Sequence, residues 1–175
     1  MSVRRIVSGQ VDDGLSRIID DAEVAGVPMV TGVEIVPIWG ADAVPSFPLA
    51  GSFPGYEKFR PGPNSYRVFQ MTIWPTDAAG AEDDIEMLKA AEKIIGTGLV
   101  ESLPNDVSPG MHATDTVDVI FVLSGTVGME MDGGDRVVFS AGETFVQNGT
   151  CHQWFNPGTE PAVVAVTMIG GQPRG

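Results

Sequence analysis

The chain has only two histidines, and they are the residues from which chemistry is most readily built. Imidazole is the commonest protein metal ligand and exchanges protons near neutral pH. His112 lies in Gly110-Met111-His112-Ala113-Thr114-Asp115-Thr116-Val117-Asp118, and His152 in Gly149-Thr150-Cys151-His152. Alternate side chains of an extended segment share a face, so His112, Thr114, Thr116 and Asp118 would look one way and Asp115 the other. Asp118 is therefore the carboxylate expected to partner His112, although Asp115 is nearer in sequence. Ile120 and Val122 continue that face, and Val117, Val119, Phe121 and Leu123 make the opposite one equally apolar, which predicts a strand buried on both sides. A polar group of His112, Thr114 and Asp118 at the end of a buried strand needs compensation, because each unsatisfied buried polar group costs about 1–3 kcal/mol. A metal ion or a bound molecule would supply it. Near His152, Gln147 shares strand parity with Phe145 and would reach a ligand from inside the fold, with surface exposure as its plainer alternative. Trp154, two residues after His152, would face the same cavity and stack on a flat substrate, or pack in the core. Met129 and Met131 flank Glu130 on one strand and are expected to fill core space.

Strand signals are dense in the last third, the part that must position these groups. Val117 to Leu123, Val127 to Met131, Arg136 to Phe139, Glu143 to Gln147 and Ala162 to Ile169 are separated by Ser124-Gly125, Asp132-Gly133-Gly134, Ser140-Ala141-Gly142 and Asn156-Pro157-Gly158, a spacing typical of antiparallel sandwiches and barrels. Upstream, Arg4 to Ser8 and Leu15 to Asp20 flank the turn signal Val11-Asp12-Asp13-Gly14 and predict a hairpin. Val33 to Trp39 contains Pro37, which predicts an edge strand. Tyr66 to Trp74 alternates as a strand, and Ala81 to Ile95, followed by Gly96, is the clear helix, either a lid or a connector. Residues Ala41 to Ser65 read as an irregular loop whose Phe47, Phe53, Tyr56 and Phe59 either anchor it or wall a pocket. Gly98 to Pro109 reads as a second loop.

Composition bounds the function. At 175 residues the chain suits one domain, taken as residues 1–175, with N-terminal strands and loop over 1–65, a strand and helix over 66–106 and a motif-bearing core over 107–169. Twenty-two Gly and thirteen Pro favour short strands and turns over long helices. Ten basic against 23 acidic residues, a formal charge of −13, disfavours nucleic acid and anionic membrane partners. One cysteine, Cys151, cannot make an internal disulfide and points to a reducing, cytoplasmic setting, and no apolar run approaches a membrane span.

With these residues in place, the sequence resembles the cupin superfamily. The first motif of that family runs Gly, five residues, His-x-His, three or four residues, Glu, six residues, Gly; His112, Thr114, Asp118 and Gly125 occupy the matching spacings. The second ends Pro-x-Gly-x-x-His-x-x-x-Asn; Gln147, Gly149, His152 and Asn156 align with it, and Gly142 opens the same strand. The resemblance covers roughly Val107 to Met168. It implies a mainly β, cupin-type antiparallel barrel or jelly roll with an N-terminal strand extension and one short helix, acting as a homodimer. Thr114 replaces the second histidine, Asp118 the glutamate and Gln147 the proline. The resemblance then implies a reduced metal site of His112, Asp118 and His152, able to hold Fe, Zn, Mn or Ni with positions open for substrate. Those three would also be the catalytic residues, with Thr114, Gln147 and Trp154 binding a small carbonyl, carboxylate or hydroxy compound in an oxygenase, lyase, isomerase or decarboxylase reaction. In a metal-free form, one histidine would be the general base and Asp118 its orienter. A non-catalytic module that binds or senses a small molecule is the alternative.

Overall fold

The computed structural model describes residues 1–11, 14–47, 53, 55–75, 82–100 and 110–173. Eleven strands and one helix are placed among them. The expected turn residues Asp12 and Asp13, Ala81, and parts of both expected loops lie outside the described residues.

Alternation of apolar and polar residues builds a six-stranded antiparallel sheet, ordered β3 (Val27–Val30), β4 (Val33–Ala41), β5 (Tyr66–Ile73), β11 (Ala162–Gly170), β6 (Thr116–Ser124) and β9 (Thr144–Asn148). A three-stranded sheet of β10 (His152–Phe155), β7 (Thr126–Met131) and β8 (Arg136–Ser140) contributes to the same core. Inward side chains of the large sheet, Phe69, Met71, Ile120, Val122, Val164 and Val166, join Val127, Met129 and Phe139 of the small one in a single apolar cluster. This is a β-sandwich of jelly-roll type, as expected; the strands form separate sheets, with no ladder joining the small sheet to the large one among the described strands. Met129 is fully buried, a core filler.

Two expectations about strand burial are corrected. β6 is buried on one face only, since Thr116, Asp118, Ile120 and Val122 are inside while Val117, Phe121 and Leu123 are 41%, 49% and 49% exposed. β6 lies in the large sheet with only one face against the sandwich core, and nothing among the described residues covers the other. Pro37 does not make β4 an edge, because β4 runs between β3 and β5. β3 pairs with β4 only from Val33 to Ile35, and the β4–β5 register shifts between Pro37 and Trp39. The missing N–H of Pro37 therefore falls beyond the short partner and at an irregularity, where no ladder bond is lost.

The N-terminal hairpin forms as expected and is longer than its sequence signal. β1 (Ser2–Gln10) pairs with β2 (Ser16–Ala25) from Ser2↔Ala25 to Gln10↔Ser16. Arg5, paired within the hairpin to Asp20 at 2.9 Å, fixes it to the sandwich by donating to the Ile38 carbonyl at 3.5 Å and by lying over the Trp39 and Phe53 rings. The helix α1 (Glu82–Ile95) buries Leu88, Ala91 and Ile95, a one-sided stripe of helical spacing, and packs on β3. The Asp84 carboxylate accepts hydrogen bonds from the Thr31 N–H and hydroxyl, both at 2.7 Å, which ties the helix to the β3–β4 turn. Gly96, at φ 91°, ends it in a conformation that side chains disfavour.

One buried cation organises the loop before β5. Arg67 is completely buried and donates five hydrogen bonds, to the carbonyls of Lys58 (3.0 and 2.6 Å), Ala41 (2.8 Å) and Tyr66 (2.8 Å) and to Asp42, while the Tyr56 ring lies 4.0 Å away. A bridge between Lys58 and Thr97 holds the same segment from the other side. The aromatic residues of this loop divide accordingly. Phe53 and Tyr56 anchor it, buried Phe59 reaches the cavity described below, and Phe47 is 81% exposed.

Candidate functional site

His112 and His152 are direct cross-strand partners. The chain turns at Gly110 and runs alongside the start of β10, so that the His112 N–H donates to the His152 carbonyl and the His152 N–H to the His112 carbonyl, both at 2.9 Å. Residues opposed in this way carry their side chains on the same face, and the two rings lie 4.5 Å apart between centroids at an angle of 50°.

The rings are held alike. His112 Nδ1 lies 2.9 Å from the Gly110 carbonyl and His152 Nδ1 lies 2.9 Å from that of Thr150. A carbonyl only accepts, so Nδ1 carries the proton in each ring and Nε2 keeps its lone pair. Burial, reinforced by the neighbouring His152 ring, pushes His112 down to about 4. Burial also lowers His152, with the Arg60 charge adding to the effect against the Thr150 carbonyl. Both imidazoles are therefore neutral at physiological pH.

The pair sits at the end of a cavity of about 240 Å3. Its body is apolar, walled by Met29, Ile35, Phe69, Met71, Leu88 and Met168, with Trp154 beside the histidines. Its polar end consists of Arg60, His112, Thr114, Asp118 and His152. The parity argument separates the carboxylates correctly. Asp118 is 7% exposed and faces the cavity, whereas Asp115 is exposed and borders a shallower depression on the outside of the strand end, together with Asp132 and Cys151.

Asp118 is the least compensated group of the site. Its Oδ1 is buried without a hydrogen-bond partner. Burial raises the carboxyl from its ordinary 3.8 to about 6, against the Thr116 hydroxyl and the Arg60 charge, which lower it. The Thr116 hydroxyl is itself linked to that of Thr114 at 2.7 Å.

Three sequence expectations meet a different arrangement. Gln147 is 1% exposed but is absent from the cavity wall; its amide nitrogen donates to the Thr150 carbonyl at 2.7 Å, its amide oxygen accepts from the Thr150 hydroxyl, and the group lies against the Nδ1 edge of His152, bracing the ring from behind. Asp118 does not orient either ring, a task that the Gly110 and Thr150 carbonyls perform. The third concerns metal. Two neutral imidazoles and a carboxylate with an unspent oxygen match the donor types of a divalent ion, yet among the described residues no three His, Cys, Asp or Glu side chains are spaced to hold one. The donors fit in kind and not in placement. Arg60 went unnoticed in the sequence: it belongs to no motif, and only the loop pinned by Arg67 and the Lys58–Thr97 bridge brings it to histidines some fifty residues and more away.

Comparison with known proteins agrees with this picture. Residues 98–169 match the family model described as the cupin domain. Over 49 residues the chain is 41% identical to oryzines biosynthesis cluster protein J of Aspergillus oryzae, covering 28% of this chain and 27% of that protein. Over 55 residues it is 38% identical to phomopsin biosynthesis cluster protein C' of Diaporthe leptostromiformis, covering 29% of each. The chain thus spans less than a third of the length of these curated relatives. Among solved structures, the Schizosaccharomyces pombe Cnp3 cupin domain aligns with 95% of this chain and 87% of its own, at a TM-score of 0.48 and 8% identity. The family match lies over the strands that bring His112 and His152 together, so residues 98–169 carry the cupin domain.

Proposed function

We propose that this cupin is an enzyme of small-molecule metabolism that binds an oxygen-bearing organic compound in the 240 Å3 cavity and moves a proton on it, in a lyase, isomerase or decarboxylase type of reaction. The observation that carries this reading is Asp118: a buried carboxyl with one oxygen unpaired, in the wall of an otherwise apolar cavity and poised near neutrality. A proton-transfer group works best when its pKa lies near the operating pH. Asp118 takes and returns the proton. The Nε2 lone pairs of His112 and His152 accept hydrogen bonds from a substrate hydroxyl or enol, Thr114 orients it, and Trp154 stacks against its flat part. Gln147 keeps the His152 ring in place. A metal ion such as Fe, Zn, Mn or Ni would supply Lewis acidity at such a site, but the donor spacing gives no support for a step through one. Relatives named for oryzines and phomopsin biosynthesis clusters support a role in making small molecules.

The protein would work as one domain and as a homodimer in the reducing cytoplasm. Support for the dimer comes from the outer face of β9, β6 and β11, where paired Val117, Val119, Phe121, Val146, Thr167 and Ile169 include no charged residue. In a chain of formal charge −13, two copies approach most easily through such a face.

The test is proton exchange. Wild type incubated in deuterium oxide with small keto acids, hydroxy acids and phenols is expected to exchange carbon-bound protons or turn a compound over, as followed by NMR, and Asp118→Asn is expected to slow this by about 100-fold or more. A compound that binds and is returned without exchange would favour the sensing alternative.

A further inference from the structure

Arg60 is set apart from Arg4, Arg5, Arg67 and Arg136 by how little its guanidinium is engaged. Arg67 spends its donors on five hydrogen bonds, and Arg4, Arg5 and Arg136 are each in an ion pair. Arg60 makes a single hydrogen bond, to the Ala113 carbonyl at 3.1 Å, and no salt bridge among the described residues. It is nevertheless half-buried, and among the described residues it is the one lysine or arginine that lines the cavity. Asp118 and Asp115 are close enough to feel its charge, while neither forms an ion pair with it.

A guanidinium presents five donors in a planar fork that matches a carboxylate bidentately. Holding it half out of water with one bond made is costly unless a partner arrives. The groups around it leave that role open: both histidines are neutral, the Asp118 carboxyl makes no ion pair with it, and the remaining wall is hydroxyl or apolar. The loop that carries Arg60 is braced by Arg67 and the Lys58–Thr97 bridge, so the fork is positioned before any ligand enters. The surface around the site belongs to a strongly acidic chain, so attraction for an anion has to be built locally, and Arg60 is where it is built.

We infer that Arg60 is the anion-binding residue of the cavity, and that the molecule this site takes is a small organic acid whose carboxylate meets the Arg60 guanidinium while its apolar body lies along Met29, Phe69, Met71 and Leu88. This rests on the cavity being the ligand site. It narrows the substrate from any oxygen-bearing compound to a carboxylate, and it places the atom to be deprotonated within reach of Asp118, on the acid held by Arg60.

Calorimetric titration of the full chain with benzoate, phenylacetate and hexanoate, each beside its own amide, tests it. The acid and its amide share shape and differ in charge. At least one acid is expected to bind about tenfold or more tightly than its amide. Arg60→Gln is expected to abolish that difference and Arg60→Lys to restore part of it, with thermal unfolding showing that both variants fold. Equal binding of acids and amides, unchanged in Arg60→Gln, would overturn the anion assignment and leave the cavity as a ligand site. Failure of every acid and amide to bind at millimolar concentration would overturn the ligand site itself.

Discussion

Replacing Asp118 by Asn should make the protein more stable and less active. In the folded protein burial raises the carboxyl from 3.8 to about 6, so the folded state holds this proton more tightly than the unfolded one. The stabilisation from a group raised in this way is complete below the unfolded value and is lost as pH rises through the folded one. Wild type therefore gives up about 0.5 kcal/mol near about pH 4 and about 3 kcal/mol above about pH 7, at 1.36 kcal/mol per unit. Asparagine has nothing to ionise. It keeps the shape, leaves its amide oxygen to the Thr116 hydroxyl, and puts its nitrogen where one carboxyl oxygen already lacks a partner. The gain should be about 2–3 kcal/mol near about pH 7.5, or about 4–12 °C in Tm for a chain of this size. The depressed His112, whose stabilising contribution is lost as pH falls through 6.5 toward about 4, is common to both proteins and cancels in the difference. Urea denaturation of both proteins at about pH 4 to 8 reads the effect, which should be small at the acid end and level off above about pH 7. A difference that is flat across that range, or a variant less stable at neutral pH, would refute a buried carboxyl destabilised by its surroundings. Activity lost alongside stability gained is the usual exchange at a functional group.

Three further outcomes follow from the same geometry. Arg67→Met should lower stability by about 2–4 kcal/mol, because it strands the carbonyls of Lys58 and Ala41; a shift of the urea midpoint within error of wild type would contradict the pinning of the loop. Phe121→Asp, at a residue 49% exposed on the uncharged outer sheet face, should turn a dimer into a monomer in sedimentation velocity with the fold intact, whereas wild type sedimenting as a monomer would remove the dimer. Metal analysis after reconstitution with Fe, Zn, Mn or Ni should find no stoichiometric ion, since the donors are not spaced for one; an equivalent of metal that disappears in both His112→Ala and His152→Ala would show that the site closes around an ion.

What the sequence made legible was local pattern and fixed spacing. Side-chain parity selected Asp118 over Asp115, and the two motif spacings placed His112 and His152 in one site. Parity says which face a residue takes but not what covers that face, so the apolar outer side of β6 reads as buried while Phe121 is half exposed. The same limit applies to Gln147, which points inward as expected and is then captured by Thr150. β3 and β10, each of four residues, are too short to carry a periodic signal. Arg60 had no local signature at all, because its place depends on a buried arginine, a bridge to Thr97 and the fold that brings both near the histidines.

The most direct measurement uses the fact that only two imidazoles exist to be seen. A nitrogen-15 correlation spectrum of histidine-labelled protein near about pH 7 should show both rings neutral, with the proton on Nδ1 and an unprotonated Nε2, and carboxylate ligand added to the cavity should shift both Nε2 signals. Charged rings, a proton on Nε2, or Nε2 signals indifferent to a ligand bound with Arg60 would contradict the account of the site.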